Sequence, residues 1–154
     1  MTFYMNRRLF IYITAVFLAI SHLFSCKENH GTEDDVRHVA ERFAQSFFTW
    51  QLADALQVSD DDMKLRIRFL ASNVHKADLR VLHEATETPT IEIGEISMEN
   101  DSSAQASVSL RNVYQMDTLG TEMHMKEEAQ GTVSLRLTRE GWRICGVTVS
   151  HSKS

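Results

Sequence analysis

The apolar period of this chain changes once, at the stretch "TETPT" (Thr86–Thr90), and that change limits the fold more than any other feature. Before it, apolar residues recur at spacings of three and four. After it, they alternate. The first pattern puts one face of a helix inward, and the second puts one face of a strand inward. A chain whose helix-period sequence all precedes its strand-period sequence does not build alternating β-α-β units. It builds an α+β domain, with helices packed on one face of an antiparallel sheet.

On the helical side, Val36, Val39, Ala40, Phe43, Ala44 and Phe47 form one stripe. "TEDD" offers Thr32 as N-cap with Asp35 three residues on, close to a capping box, and the acids suit the positive helix start. The helix or its continuation runs through Trp50, Ala53 and Leu56. "SDDD" repeats the start signal, with Ser59 as cap, and Met63, Ile67, Leu70, Ala71 and Val74 stripe a second helix. A third, shorter helix is expected over Ala77–Glu84, with Leu79, Leu82 and His83 near one side.

Four strands follow. Ile91 and Ile93 alternate, then Ile96 and Met98 alternate in the opposite phase, which places a bulge at Gly94. The second strand carries Ala104, Ala106, Val108, Leu110, Asn112, Tyr114 and Met116 on one parity. "DTLG" turns the chain into a long third strand, with Met123, Met125, Glu127, Ala129, Gly131, Val133, Leu135 and Leu137 on one parity. "REGW" is a short hairpin turn before a last strand from Trp142 to Val149. Strands this long imply a strongly curved sheet with the helices in its concave side. Phe43 and Phe47 are expected to pack on Val133, Leu135 and Leu137.

In this order of elements residues 33–150 resemble the nuclear transport factor 2-like superfamily, a cone of helices wrapped by a curved sheet. The resemblance rests on "VRHVAERFAQSFFTWQLADAL", on "SVSLRNVYQMDTLGTEMHMKEEAQGTVSLRL" and on the closing "GWRICGVTV". It implies a pocket at the open end of the cone, used by some members for catalysis and by others for small ligands. It also implies pairing through the sheet in many members. The aspartate base with tyrosine and acid donors of its isomerase-like members has no residue-by-residue match here.

Residues 1–25 read as a leader. Arg7 and Arg8 precede the apolar run Leu9–Ile20, and no acid occurs before Glu28. Twelve residues are short for a bilayer span of about 20 but suit a signal sequence. "LFSC" then resembles a bacterial lipobox, with Phe24 as a departure from the usual small residue. This makes Cys26 the expected lipid-attachment site, acylated with diacylglycerol and a further fatty chain such as palmitate. An uncleaved anchor or an ordinary secretory leader would leave Cys26 as a thiol. Residues 26–32 form a polar tether, 33–150 one domain and 151–154 a tail. The expected address is the bacterial cell envelope, at the outer membrane.

The mature chain keeps 14 of the 16 basic and all 21 acidic residues, a charge of −7. Such a chain gets no electrostatic help towards phosphate backbones, so nucleic acid is not an expected partner. No HExxH, CxxC, GxSxG, P-loop or dinucleotide fingerprint is present, and the histidines do not cluster, so neither metal nor cofactor is expected. Cys145 reads as a strand thiol.

Four side chains remain as ligand-binding candidates: Trp50, Tyr114, Glu127 and Trp142. Glu127 is an acid on an apolar parity. Either the third strand keeps its phase, Glu127 points inward and its pKa rises, or a bulge reverses the phase and Glu127 is solvated. The second reading is preferred. For Tyr114 and both tryptophans a core role competes with a binding one. The expected protein is a non-catalytic, membrane-anchored lipoprotein that binds a small apolar ligand or an envelope protein partner, including a second copy. The alternatives are an isomerase- or hydrolase-like enzyme using an inward Glu127 with Tyr114, and an assembly module acting through the outer sheet face.

Overall fold

The computed structural model of the protein describes residues 31–116 and 123–151. The leader, Cys26, most of the tether, the "DTLG" turn and the last three residues lie outside the described residues. Four helices, α1 (Glu33–Phe48), α2 (Leu52–Gln57), α3 (Asp61–Ser72) and α4 (Lys76–Glu84), precede four strands, β1 (Thr90–Asn100), β2 (Ser103–Met116), β3 (Met123–Thr138) and β4 (Gly141–His151). The strands form one antiparallel sheet in the order β1-β2-β3-β4, curled around the helices. This is the α+β arrangement that the single change of period predicts.

The start of α1 is the capping box read from "TEDD". The Thr32 hydroxyl accepts from the Asp35 N–H at 3.2 Å, and the Asp35 carboxylate accepts from the Thr32 N–H at 2.9 Å. Val36, Ala40, Phe43 and Ala44 are buried as expected, but so are Ser46 and Phe48, while Val39 and Phe47 are half-buried. The inward face is therefore rotated towards Phe48. Ser46 is tolerated there because its hydroxyl donates to the Arg42 and Phe43 carbonyls.

The chain does not continue straight from α1 into α2. The Trp50 N–H bonds the Phe47 carbonyl and the Gln51 N–H bonds the Ser46 carbonyl, with Trp50 at φ 62°. This is a Schellman termination with a tryptophan at the left-handed position, which glycine usually fills. The N-cap of α3 also differs from expectation. Asp60 accepts from the Met63 N–H at 2.8 Å, whereas Ser59 is buried and its hydroxyl donates to the Ala55 carbonyl. Asp60 and Val58 bond the backbone of Ile144 on either side, which ties the α2–α3 connection to β4.

The core lies between α1 and the concave face of the sheet. Phe43 is wholly buried, stacks on Phe47 at 5.1 Å and belongs to one cluster with Val133 and Leu135, against which Leu137 also packs. Small residues at Ala104, Ala106 and Ala129 make room for these rings. Three of the sheet's irregularities set the phases of the strands, a fourth being the β1–β2 shift between Met98 and Asn100. The β1–β2 register shifts between Ile93 and Ile96, next to Gly94 as expected. The β3–β4 register shifts across Cys145, after which Val147 and Val149 pack on the core. The third lies in β2, where Asn112 adopts φ 53° and both Leu110 and Val113 are buried, three residues apart. The single parity expected for β2 thus ends at Leu110.

Candidate functional site

The largest cleft whose lining is described, about 520 Å³, sits among the helices. The α1–α2 junction contributes Trp50, Leu52 and Ala53, the end of α3 and the connection after it contribute Ala71 and Val74, and α4 contributes Leu79 and Leu82. Gln51 and Asp54 are its polar lining residues. Its size falls within the range of small-molecule sites, roughly 300–1,000 Å³, and an apolar lining with few polar groups is usual for them.

Each wall has a local cause. Trp50 is aimed by the left-handed turn that ends α1, and its indole N–H donates to the Tyr114 carbonyl at 2.9 Å. That bond ties the helix terminus to β2 and fixes the ring. Leu79 and Leu82 are placed by the start of α4, where the His75 N–H donates to the Asp78 carboxylate at 2.7 Å and Asp78 is buried. Leu79 nevertheless remains 56 % exposed, because α4 shields only part of it.

Of the four sequence candidates, the structure brings two together. Trp50 lines the cleft, and Tyr114, half-buried, holds it through a backbone carbonyl rather than through its phenol. Glu127 is exposed, so an enzyme built on an inward Glu127 with Tyr114 does not match this geometry. The cause is the left-handed Asn112. Arg111 pairs with Glu128 and Val113 with Lys126, and between them the alternation of both strands breaks, which also leaves Met125 exposed. Trp142 is 3 % exposed and belongs to the core, where Gly31 packs directly on its indole. A side chain at position 31 would collide with that ring.

Leu52, Val74, Leu79 and Leu82 are the lining residues that sequence reasoning did not assign to a site. Val74, Leu79 and Leu82 were visible as members of helical stripes, but a stripe gives the apolar face of a helix and not whether another element covers it. A second groove of about 350 Å³ lies between α1 and β1, where His38, Glu41 and Arg42 overhang Ile91 and Ile93. Among the described residues no three His, Cys, Asp or Glu side chains gather as a metal site, and no helix is long and apolar enough to cross a membrane. Burial pushes the Cys145 thiol pKa up, against the opposing pull of Arg136.

No protein-family model matches the sequence, and no curated protein does. Nine chains of solved structures match the fold. One is the crystal structure of a "putative aromatic ring hydroxylase" from Novosphingobium aromaticivorans, with a TM-score of 0.52 and 11 % identity over 79 % of this chain and 90 % of that one. Another is a structure from Catenulispora acidiphila, with a TM-score of 0.47 and 12 % identity over 75 % of this chain and 88 % of that one. At 11 % identity the first likeness concerns the fold alone: helices held in a curled antiparallel sheet that spans most of both chains.

Proposed function

We propose that this protein is a lipid-anchored lipoprotein of the bacterial cell envelope, at the outer membrane, whose nuclear transport factor 2-like domain binds a small apolar ligand. The ligand occupies the cleft beside Trp50. The observation that carries this reading is the lining: apolar side chains from three helices, with only Gln51 and Asp54 as polar members. Catalysis requires polar groups that converge on one reacting atom, whereas binding of an apolar molecule requires surface removed from water. Anchoring rests on the apolar run Leu9–Ile20 followed by "LFSC", which makes Cys26 the acylated residue.

Both halves are testable. Titrated with an anilinonaphthalene sulfonate or a medium-chain fatty acid, the domain should show a change in Trp50 emission, while Trp142 reports no change from the core. Leu79→Ser, at an exposed position, should weaken binding without unfolding the domain. Equal affinity in that variant would place the ligand elsewhere. For the anchor, Cys26→Ser should stop acylation, read as the loss of the lipid mass and of partition into detergent. Unaltered mass and partition would overturn the anchored reading.

A further inference from the structure

The outward side of α3 is unusual for a protein of this charge. Leu65 and Phe69 are 67 % and 69 % exposed and lie one turn apart, opposite the buried Met63 and Ile67. After the three residues Asn73–His75, α4 exposes Leu79 at 56 % and Val81 at 38 %. Single exposed apolar residues are ordinary, but Leu65 and Phe69, one turn apart on one face of α3, form a strip that water solvates poorly, whereas Leu79 and Val81, two residues apart, point to opposite sides of α4.

The charges that follow Leu65 on α3 are basic, whereas Asp61 and Asp62 before it are acidic. Residues 64–84 hold five basic residues, Lys64, Arg66, Arg68, Lys76 and Arg80, against the acids Asp78 and Glu84. That is +3 in a mature chain of −7, so the other residues together carry −10. Lys64 pairs with Asp61 at 3.2 Å, but Arg66, Arg68, Lys76 and Arg80 make no ion pair among the described residues. Asp61 and Asp62 open α3 and leave its first turn acidic, so the basic, apolar part begins beyond them. A helix that sets Phe and Leu between Lys and Arg has the composition of one lying in a bilayer interface.

We propose that this face of α3 docks on an anionic lipid bilayer. The proposal rests on the anchored half of the function above, and the position of the tether supports it. Gly31 packs on the Trp142 indole, and the Asp60 N–H bonds the Ile144 carbonyl two residues further along β4. The tether and the start of α3 therefore leave the same end of the domain. Five peptide units separate Cys26 from Gly31 and reach at most about 18 Å, while Phe69 lies about 12 Å along α3 from Asp61. One bilayer can hold the acyl chains and meet Phe69 together. An acidic protein or a second copy would satisfy the charge, but neither is held within reach of this face by the chain itself.

The test uses the full, acylated chain in vesicles of phosphatidylcholine alone or with about 30 % phosphatidylglycerol, the anionic fraction supplying the surface potential. All vesicles carry lipid with a doxyl quencher high in the acyl chain. Phe69→Trp places a reporter on the patch and Ser109→Trp places one on the exposed outer face of the sheet. With phosphatidylglycerol the added emission at position 69 should fall at least twofold and that at 109 should not. Replacing Arg66 and Arg68 by glutamine should weaken docking by roughly fivefold for each arginine. Flotation with equal quenching at both positions would overturn the docking surface and leave the anchor standing. Failure to float would overturn both. A concentration-dependent blue shift at position 69 without vesicles would give the face to a second copy and overturn the bilayer.

Discussion

Trp50 occupies a backbone conformation that resists it, and substitutions there separate strain from contact. At φ 62° a residue with a Cβ costs about 1–2 kcal/mol over glycine. Against that cost stands the indole bond to the Tyr114 carbonyl at 2.9 Å, which is worth about 0.5–1.5 kcal/mol. Both Trp50→Gly and Trp50→Ala lose the bond and the ring, but only glycine also loses the strain. Glycine should therefore be the more stable replacement by about 1 kcal/mol, the reverse of the order inside a helix, where alanine leads by about that amount. In a domain of some 120 residues this is about 4 °C in melting temperature. Thermal melts followed by circular dichroism would read it, with ligand titration alongside. Binding should fall equally in both variants, since neither supplies the cleft wall. Equal melting temperatures, or alanine the higher, would mean that the Schellman turn is not left-handed at Trp50 and that the ring is not aimed as described.

Three further outcomes follow from other positions. Asn112→Gly should leave stability nearly unchanged, whereas the β-branched Asn112→Val should lose roughly 1–3 kcal/mol in chemical denaturation, because φ 53° disfavours it. Phe43→Ala should cost about 3–5 kcal/mol, and Phe47→Ala less, since only Phe43 is wholly buried; urea titration of both variants gives the order. Cys145 should react with iodoacetamide more slowly than a free model thiol at pH 8, because desolvation raises its pKa and leaves less thiolate; timed mass spectrometry measures the ratio.

The parts of the fold that repeat were legible in the sequence, and the parts that rest on one residue were not. The change of period at Thr86–Thr90 separates helices from sheet, and the spacing of Thr32 and Asp35 gives the start of α1. The β1 bulge could be read because two alternating pairs, Ile91–Ile93 and Ile96–Met98, are out of phase on either side of Gly94. The phase reversal in β2 has no such signature. Asn112 tolerates a left-handed conformation better than most residues but does not demand it, and Tyr114 and Met116 continue the old parity as apolar residues. Glu127 was the visible symptom, an acid on an apolar parity, and its exposure follows from a residue on the neighbouring strand. Trp50 is harder still. Nothing local marks a tryptophan as a C-terminal helix stop, and the bond that holds it there comes from a residue 64 positions away.

The superfamily resemblance directs attention to the concave face of the sheet, yet the described cleft has no strand residue in its lining. The reason lies in α1. Phe43, Phe47 and Phe48 form one aromatic group, and Phe43 and Phe48 lie buried in the core cluster with Ala104, Ala106 and Ala129 of β2 and β3. Large rings on the helix and methyl groups on the strands let α1 approach the sheet closely. Opening a ligand chamber there would strip those rings of contacts, and the lost packing would be a substantial part of a small domain's stability. Helix against helix offers the cheaper opening. In contrast, α4 buries chiefly Asp78 and leaves Leu79 partly exposed, so a ligand between α4 and Trp50 adds apolar burial without displacing any. The cleft is therefore placed where the core is least complete.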